Sequence, residues 1–413
     1  MTVTCEIKFE NNPQSIFYVG QTLNGTAVLQ LSEAESVTGV YVQIEGFTAV
    51  HWKKRPPQGQ RHGSKQFSGR EDYLNTLTYV VGGENGAPLE IAQGTHVFKF
   101  VCALPDTLPT SFEGQYGHVR YTITICVERP TQQNTIYREA ITVLRQLNLN
   151  DDPTLRGMKK LELSKQFGWW VFKSDPLDIT VEVQSTGFVP GQSIPVLVQW
   201  NNGSKVIIQG IRIKLYKNEI YFATDPFEKS RTDTQSIAKI ENRDAHTQGL
   251  VKFERNLPIP ATPPSAVSPL ITISYDLVVY IHISTGEIPE FKIPITIGTI
   301  PLTGLPPIRA PSEDTSVDRP SHPPTYGFNV ERLQSDFPGN KAGAPTTSQT
   351  VEPTTASPPG GTETPLIDLP PPSYEEAMHA NTTNLQEDED STLTGFKPRY
   401  PVYNFDGSGP SQQ

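Results

Sequence analysis

The sequence predicts an all-β protein in which two tandem immunoglobulin-type β-sandwich domains are followed by a disordered, Pro-rich, acidic tail. Three observations carry this. Alternating, β-branched segments fill residues 1–300 without a helical stripe of any length; one strand-and-turn phrase occurs twice; and composition changes after residue 300.

The strands come first. Thr26 to Leu31, Val37 to Ile44 and Val119 to Val127 alternate apolar and polar residues, as half-buried strands do. Turn chemistry separates them at Val19-Gly20-Gln21, Asn24-Gly25, Gly82-Gly83, Asn202-Gly203 and Thr285-Gly286. Short strands punctuated in this way predict antiparallel sandwiches.

The repeat comes next. Phe17-Tyr18-Val19-Gly20-Gln21-Thr22 returns as Phe188-Val189-Pro190-Gly191-Gln192-Ser193, each followed by an alternating strand. A second echo matches Lys99-Phe100, Leu104-Pro105 and Val119 to Ile125 with Lys252-Phe253, Leu257-Pro258 and Ile271 to Val279. The predicted organisation is a first sandwich over 1–147, a linker over 148–175, a second sandwich over 176–300 and a tail over 301–413. The linker carries Asp151-Asp152-Pro153 and the aromatic cluster Phe167 to Phe172.

The tail differs in charge and in proline. Pro301 to Gln413 holds 6 Lys+Arg against 15 Asp+Glu, a net of −9, out of −10 for all 413 residues. It also holds 19 of the 38 prolines, with few large apolar side chains. A stretch of that composition buries too little surface to offset its ordering entropy, so disorder is expected.

Several classes are excluded on composition. Three cysteines, Cys5, Cys102 and Cys126, make no disulfide framework and lack structural-zinc spacing, which predicts a reducing compartment and no metal. The start from Met1 to Glu10 has no signal-peptide pattern and no apolar run approaches a bilayer span, so the expected protein is neither secreted nor membrane-spanning. The negative charge argues against nucleic-acid binding. No Gly-rich phosphate loop, His-Glu-x-x-His or Gly-x-Ser-x-Gly is present, and His51, His96, His118 and His282 stand singly in strand-like contexts. The expectation is a non-enzyme without cofactors. Asn24, Asn202 and Asn381 match the glycosylation pattern, but the first two read as Asn-Gly turns.

The body resembles the arrestin-domain-containing (alpha-arrestin) family. The resemblance rests on Tyr18-Val19-Gly20-Gln21, Ile44-Glu45-Gly46, Gly94 to Phe98, Leu104-Pro105 and, most specifically, the run Ser111 to Tyr121. Gly187 to Gln192 and Ile194-Pro195-Val196 continue it in the second half. It implies two arrestin-like sandwiches, amino-terminal and carboxy-terminal. At the joint, where many members carry a cysteine-rich segment, this chain has Trp169-Trp170 and no cysteine.

The sharpest motif lies in the tail. Pro-Pro-x-Tyr occurs as Pro323-Pro324-Thr325-Tyr326 and again as Pro371-Pro372-Ser373-Tyr374. Paired prolines pre-set an extended left-handed helix that docks in an aromatic groove while the tyrosine fills a neighbouring pocket, which points to WW domains. The arrestin resemblance implies their owner, a HECT-type ubiquitin ligase with WW domains in series. Motifs 48 residues apart on one chain permit bivalent binding. The function expected is an adaptor that links a transmembrane receptor or transporter cargo to the ligase, for ubiquitination, endocytosis and endosomal sorting. Its expected location is cytoplasmic, peripheral at the plasma membrane and endosomes. The alternative is a retromer-type arrestin-fold scaffold without ligase recruitment, which does not predict two such motifs.

Three further features have two readings each. Leu366-Ile367-Asp368-Leu369 is either a clathrin box or a polar linker. The run Glu387 to Asp390 before Ser391-Thr392 is either a kinase-favoured site or a solvating charge run. Lys53, Lys54, Arg55, Arg61, Lys65 and Arg70 lie between Trp52 and Glu71 with no acid among them, and read as a mobile basic loop. That loop is either a contact for an anionic membrane surface or a phosphorylated cargo tail, or a solvated strand connection.

Overall fold

The computed structural model describes residues 3–10, 12–54, 64–168, 174–244, 246, 249–304, 372–377, 393 and 395–405. The first sandwich contains β1 (Val3–Phe9), β2 (Ile16–Tyr18), β3 (Thr22–Leu31), β4 (Glu35–Val37), β5 (Gly39–Lys54), β6 (Lys65–Gly82), β7 (Leu89–Ile91), β8 (Gly94–Ala103), β9 (Phe112–Gly114), β10 (Gly117–Glu128) and β11 (Thr135–Leu144). The second contains β12 (Lys159–Lys165), β13 (Leu177–Val183), β14 (Gly187–Phe188), β15 (Ser193–Asn202), β16 (Ile208–Ala223), β17 (Lys229–Asn242), β18 (Gly249–Pro258), β19 (Ala266–Val267), β20 (Ile271–Ile283) and β21 (Glu290–Ile297). Two more strands, β22 (Ser373–Glu376) and β23 (Arg399–Val402), come from the tail.

Alternation makes these strands. Along β5, Val40, Val42 and Ile44 point inward while Tyr41, Gln43 and Glu45 are half-exposed, and Ile211, Ile213 and Leu215 do the same along β16. Period-2 burial of β-branched side chains suits the pleat and leaves each sheet one apolar face. In the first sandwich β1-β3-β8 packs on β2-β11-β10-β5-β6, with β9 on β10. In the second, β12-β13-β15-β18 packs on β14-β21-β20-β16-β17, with β19 on β20. Tyr121, Trp200 and Tyr275 are among the largest wholly buried side chains.

The repeat seen in the sequence is a repeat in space. The Tyr18 and Val189 amides each donate to the side-chain oxygen of the glutamine three residues on, Gln21 and Gln192, at 2.9 Å. Each short strand before that turn joins its sheet in parallel, β2 on β11 and β14 on β21. The Tyr121 hydroxyl donates to the Pro109 carbonyl, and the Tyr275 hydroxyl to that of Pro263, both across twelve residues. Ser111 and Ser265 exchange bonds with Val143 and Ile297 in the same pattern.

The second echo is real but two residues out of register. Gly20 donates to the Leu104 carbonyl and Gly191 to that of Ile259, which makes Leu104-Pro105 equivalent to Ile259-Pro260, not to Leu257-Pro258. Phe98, not Phe100, then stands where Phe253 stands. A slip of two residues leaves every side chain on its own face, so alternation alone cannot distinguish the registers.

Other expectations change as well. Asn24-Gly25 is no turn; it lies inside β3, where Gly25 is needed because a Cβ there would come within 2.2 Å of the Phe100 ring. The stretch read as linker is largely structured. Asn148 and Asp152 cap short 3₁₀ turns over Leu149–Asp151 and Pro153–Arg156, and Lys159–Lys165 pairs with β13 as an edge of the second sandwich. Residues 169–173, with Trp169-Trp170, lie outside the described residues.

Parts of the tail are ordered against the body. Residues 372–377, 393 and 395–405 are described, and β22 and β23 pair antiparallel. Composition averaged over 301–413 hides the short aromatic run Arg399-Tyr400-Pro401-Val402-Tyr403-Asn404-Phe405, which has enough apolar surface to pack.

Candidate functional site

The run Ser111 to Tyr121 lies where the two sandwiches meet. β9 and β10 turn through Gly114 and Gly117, and both glycines are required by what lies opposite. A Cβ on Gly114 would stand 2.1 Å from the Tyr221 hydroxyl, and one on Gly117 2.6 Å from the Ala49 carbonyl oxygen. Tyr116 and Tyr221 meet edge to face at 5.6 Å, and the Arg231 guanidinium stacks over Tyr116 at 3.7 Å while donating to its hydroxyl at 2.7 Å. Backbone bonds join the domains too: the Thr224 and Asp225 amides donate to the Ser68 carbonyl, and the Ser68 amide donates to that of Asp225.

Two ion pairs are buried at this junction. Arg120 grips Glu113 with two parallel bonds of 2.6 and 2.9 Å. Lys217 and Glu219 meet at 2.7 Å with each side chain only 3% exposed, and Lys217 faces the Phe112 ring from the other sandwich. The Tyr221 hydroxyl donates to Glu219. Burial pushes the Tyr221 phenol up, and Glu219 adds to the shift.

The tail closes this junction. Tyr400 on β23 is wholly buried and donates to the Ser111 carbonyl at 3.0 Å. Burial holds its phenol well above the ordinary range, with Tyr275, Glu113 and Glu219 adding to the effect, so the ring lies within electrostatic reach of both ion pairs. Three residues on, the Tyr403 amide donates to the Pro190 carbonyl at 3.0 Å and its hydroxyl to Thr299 at 2.6 Å. Tyr403 and Phe405 pack on Leu149, Leu155, Val189 and Leu302. Gly191, at φ +91°, admits this close approach: a Cβ there would lie 2.0 Å from the Tyr403 carbonyl oxygen. One extended segment therefore spans both copies of the repeated turn.

The sequence-predicted residues fall in different places. Tyr374 packs beside Ile16, Leu144 and Tyr400, its hydroxyl 2.9 Å from that of Tyr18. Pro372 is half-buried. Pro323, Pro324, Tyr326, Pro371, Leu366, Ile367, Asp368, Leu369, Arg55 and Arg61 lie outside the described residues. The basic loop is corrected: β5 runs to Lys54 and β6 begins at Lys65, so Lys53, Lys54, Lys65 and Arg70 stand on the arms of a long hairpin. Lys54 and Lys65 oppose one another in register, while Arg70 is drawn to Asp72 at 2.8 Å and sits over Phe47.

Lys217, Glu219 and Tyr400 were not legible as functional positions beforehand. The signal available was two charges on the inward phase of β16, where the alternation calls for apolar residues, and the aromatic run of 399–405.

Two sandwiches of repeated topology, meeting over buried ion pairs and spanned by a segment of their own tail, define a tandem β-sandwich scaffold. The chain belongs to the arrestin family: residues 5–150 match the arrestin (or S-antigen) N-terminal domain and 173–302 the arrestin C-terminal domain. It is 27% identical over 305 residues to arrestin domain-containing protein 4 of Mus musculus, covering 72% of each chain. It is 26% identical over 310 residues to arrestin domain-containing protein 17 of Caenorhabditis elegans, covering 72% of this chain and 70% of that one. This membership supports an arrestin-type trafficking-adaptor role. Among the described residues no helix is long and apolar enough to cross a membrane.

Removing one partner of a buried pair leaves the other charge uncompensated, at a cost of about 3–5 kcal/mol. Lys217→Met is therefore expected to lower the thermal midpoint sharply, and Lys217→Met with Glu219→Gln to recover much of the loss, measured by calorimetry. His118 supplies a pH dependence. It is wholly buried against Phe47, its ring nitrogens have no hydrogen-bond partner, and burial, then Arg120 and Arg70, push its pKa well below the ordinary 6.5. The unfolded chain takes up a proton near the ordinary value that the folded chain refuses, so stability is full above about pH 6.5 and falls as pH drops below it. Urea titrations between about pH 7.5 and 5 should show that slope, flattened in His118→Gln.

Proposed function

We propose that this arrestin body is an adaptor whose tail recruits a WW-domain, HECT-type ubiquitin ligase to a membrane cargo held by the sandwiches. The observation that carries this is the pair of Pro-Pro-x-Tyr motifs appended to an arrestin fold. Each motif offers a low-entropy extended helix and a tyrosine for a WW groove. Their separation of 48 residues lets a second contact form at high effective concentration once the first has formed.

The hairpin end supplies a second element of the same proposal. Lys53, Lys54 and Lys65 are exposed there, and Lys54 and Lys65 face each other in register, so an anionic bilayer surface would relieve their repulsion. Each basic residue near such a surface contributes about 1 kcal/mol, screened by salt.

Co-precipitation with a tandem-WW ligase fragment is expected to weaken in Tyr326→Ala, weaken in Tyr374→Ala and vanish in the double variant; undiminished association in the double variant would sink the ligase reading. Charge reversal at Lys53 and Lys54 is expected to reduce sedimentation with phosphatidylserine vesicles at low salt and to leave WW binding unchanged.

A further inference from the structure

We propose that the second Pro-Pro-x-Tyr motif is a latent ligase site, because its tyrosine is held on the amino-terminal sandwich and becomes available to a WW domain only when β22 leaves β23. This rests on the reading above that the motifs bind WW domains, and adds a condition to one of them.

The geometry is explicit. Ser373 to Glu376 form β22, with Tyr374 opposite Pro401 and Glu375 opposite Tyr400. The Tyr374 ring packs with Ile16, Leu144 and Tyr400, and its hydroxyl shares a 2.9 Å hydrogen bond with that of Tyr18. The Ser373 hydroxyl donates to the Val402 carbonyl across the pair. A WW domain needs the same tyrosine in its own pocket and the preceding prolines against its aromatic groove. One ring cannot occupy both places, so docking and ligase binding exclude each other.

β22 is held because β23 is held. Tyr400 is wholly buried on Ser111, and Tyr403 is bonded to Pro190 and Thr299 on the other sandwich. Of the four residues of β22, Ser373, Glu375 and Glu376 face solvent, and the half-buried Tyr374 is the one that anchors the strand to the body. The motif's apparent affinity is then the intrinsic one reduced by the fraction of molecules in which β22 is undocked. A ligase first bound through Tyr326 would bring its next WW domain to Tyr374 at high effective concentration and compete the strand away.

The test isolates the second motif by placing Tyr326→Ala in the full chain, and compares it with a free peptide spanning 366–379. A single WW domain from a HECT-type ligase is titrated into each. The free peptide is expected to bind at least about tenfold more tightly than the chain, and Tyr400→Ala in that chain to close the gap. Should Tyr400→Ala unfold the body, Tyr18→Phe removes only the hydroxyl that Tyr374 engages and should narrow the gap in the same direction. Equal affinity of peptide and chain would overturn the latent site while leaving the ligase reading intact. A free peptide that fails to bind the WW domain would overturn this inference, while the ligase reading would then stand or fall on the Tyr326 motif in the co-precipitation above. Hydrogen exchange reads the docking separately: amides of Ser373 to Glu376 should be protected in the unaltered chain and released on addition of the WW domain. Rapid exchange in the unaltered chain would overturn the inference by itself.

Discussion

Charge buried between the two sandwiches is the constraint on which the rest of the structure depends. Glu113 with Arg120 and Lys217 with Glu219 give up hydration to sit at the junction, and are tolerable there only because each has a partner at hydrogen-bonding distance. Close approach is what keeps water out. That approach demands glycine at 114 and 117, the ring of Tyr221 against them, and a lid, which Tyr400 supplies. The relative placement of the domains is set by the contacts that cross the junction: Arg231 on Tyr116, Lys217 against the Phe112 ring, and the backbone bonds of Ser68 with Thr224 and Asp225.

The tail follows from the same repeat that builds the body. Two copies of one turn, Val19-Gly20-Gln21 and Pro190-Gly191-Gln192, are spanned by a single extended segment. Tyr374 and Tyr400 settle by Tyr18 on the first, and Tyr403 on the backbone of Pro190 at the second. The order of the domains and the exposure of a peptide motif thus share one set of contacts. Whatever loosens Tyr400 loosens both.

Much of this was legible in the sequence. Strands such as β5 and β16 were readable because inward Val, Ile and Leu alternate with polar residues along their length, and the family run Ser111 to Tyr121 stood out by its wording. The repeat at Gly20 and Gly191 was readable because only glycine takes the positive φ that turn requires. Other positions were not. Gly25 looked like half of an Asn-Gly turn, since nothing local announces that the Phe100 ring will lie across it. Leu104 was matched to Leu257 because a two-residue slip preserves the face pattern. Lys159 to Lys165 looked like linker because an edge strand with exposed charges on one face alternates only weakly.

What the sequence by itself determined is the class of the molecule: period-2 alternation, turn glycines and a duplicated phrase act locally, and local chemistry suffices to set strands, their faces and a family. It also determined the two Pro-Pro-x-Tyr motifs, whose chemistry resides in four consecutive residues. Only the tertiary structure decided where the tyrosine of the second motif sits, since Tyr374 meets a tyrosine 356 residues earlier in the chain. The same holds for the inward charges of β16, which are anomalies in a strand and become an interface once the other sandwich covers them. Contacts between residues so distant in sequence depend on which surfaces the completed sheets bring together, and no local pattern encodes that.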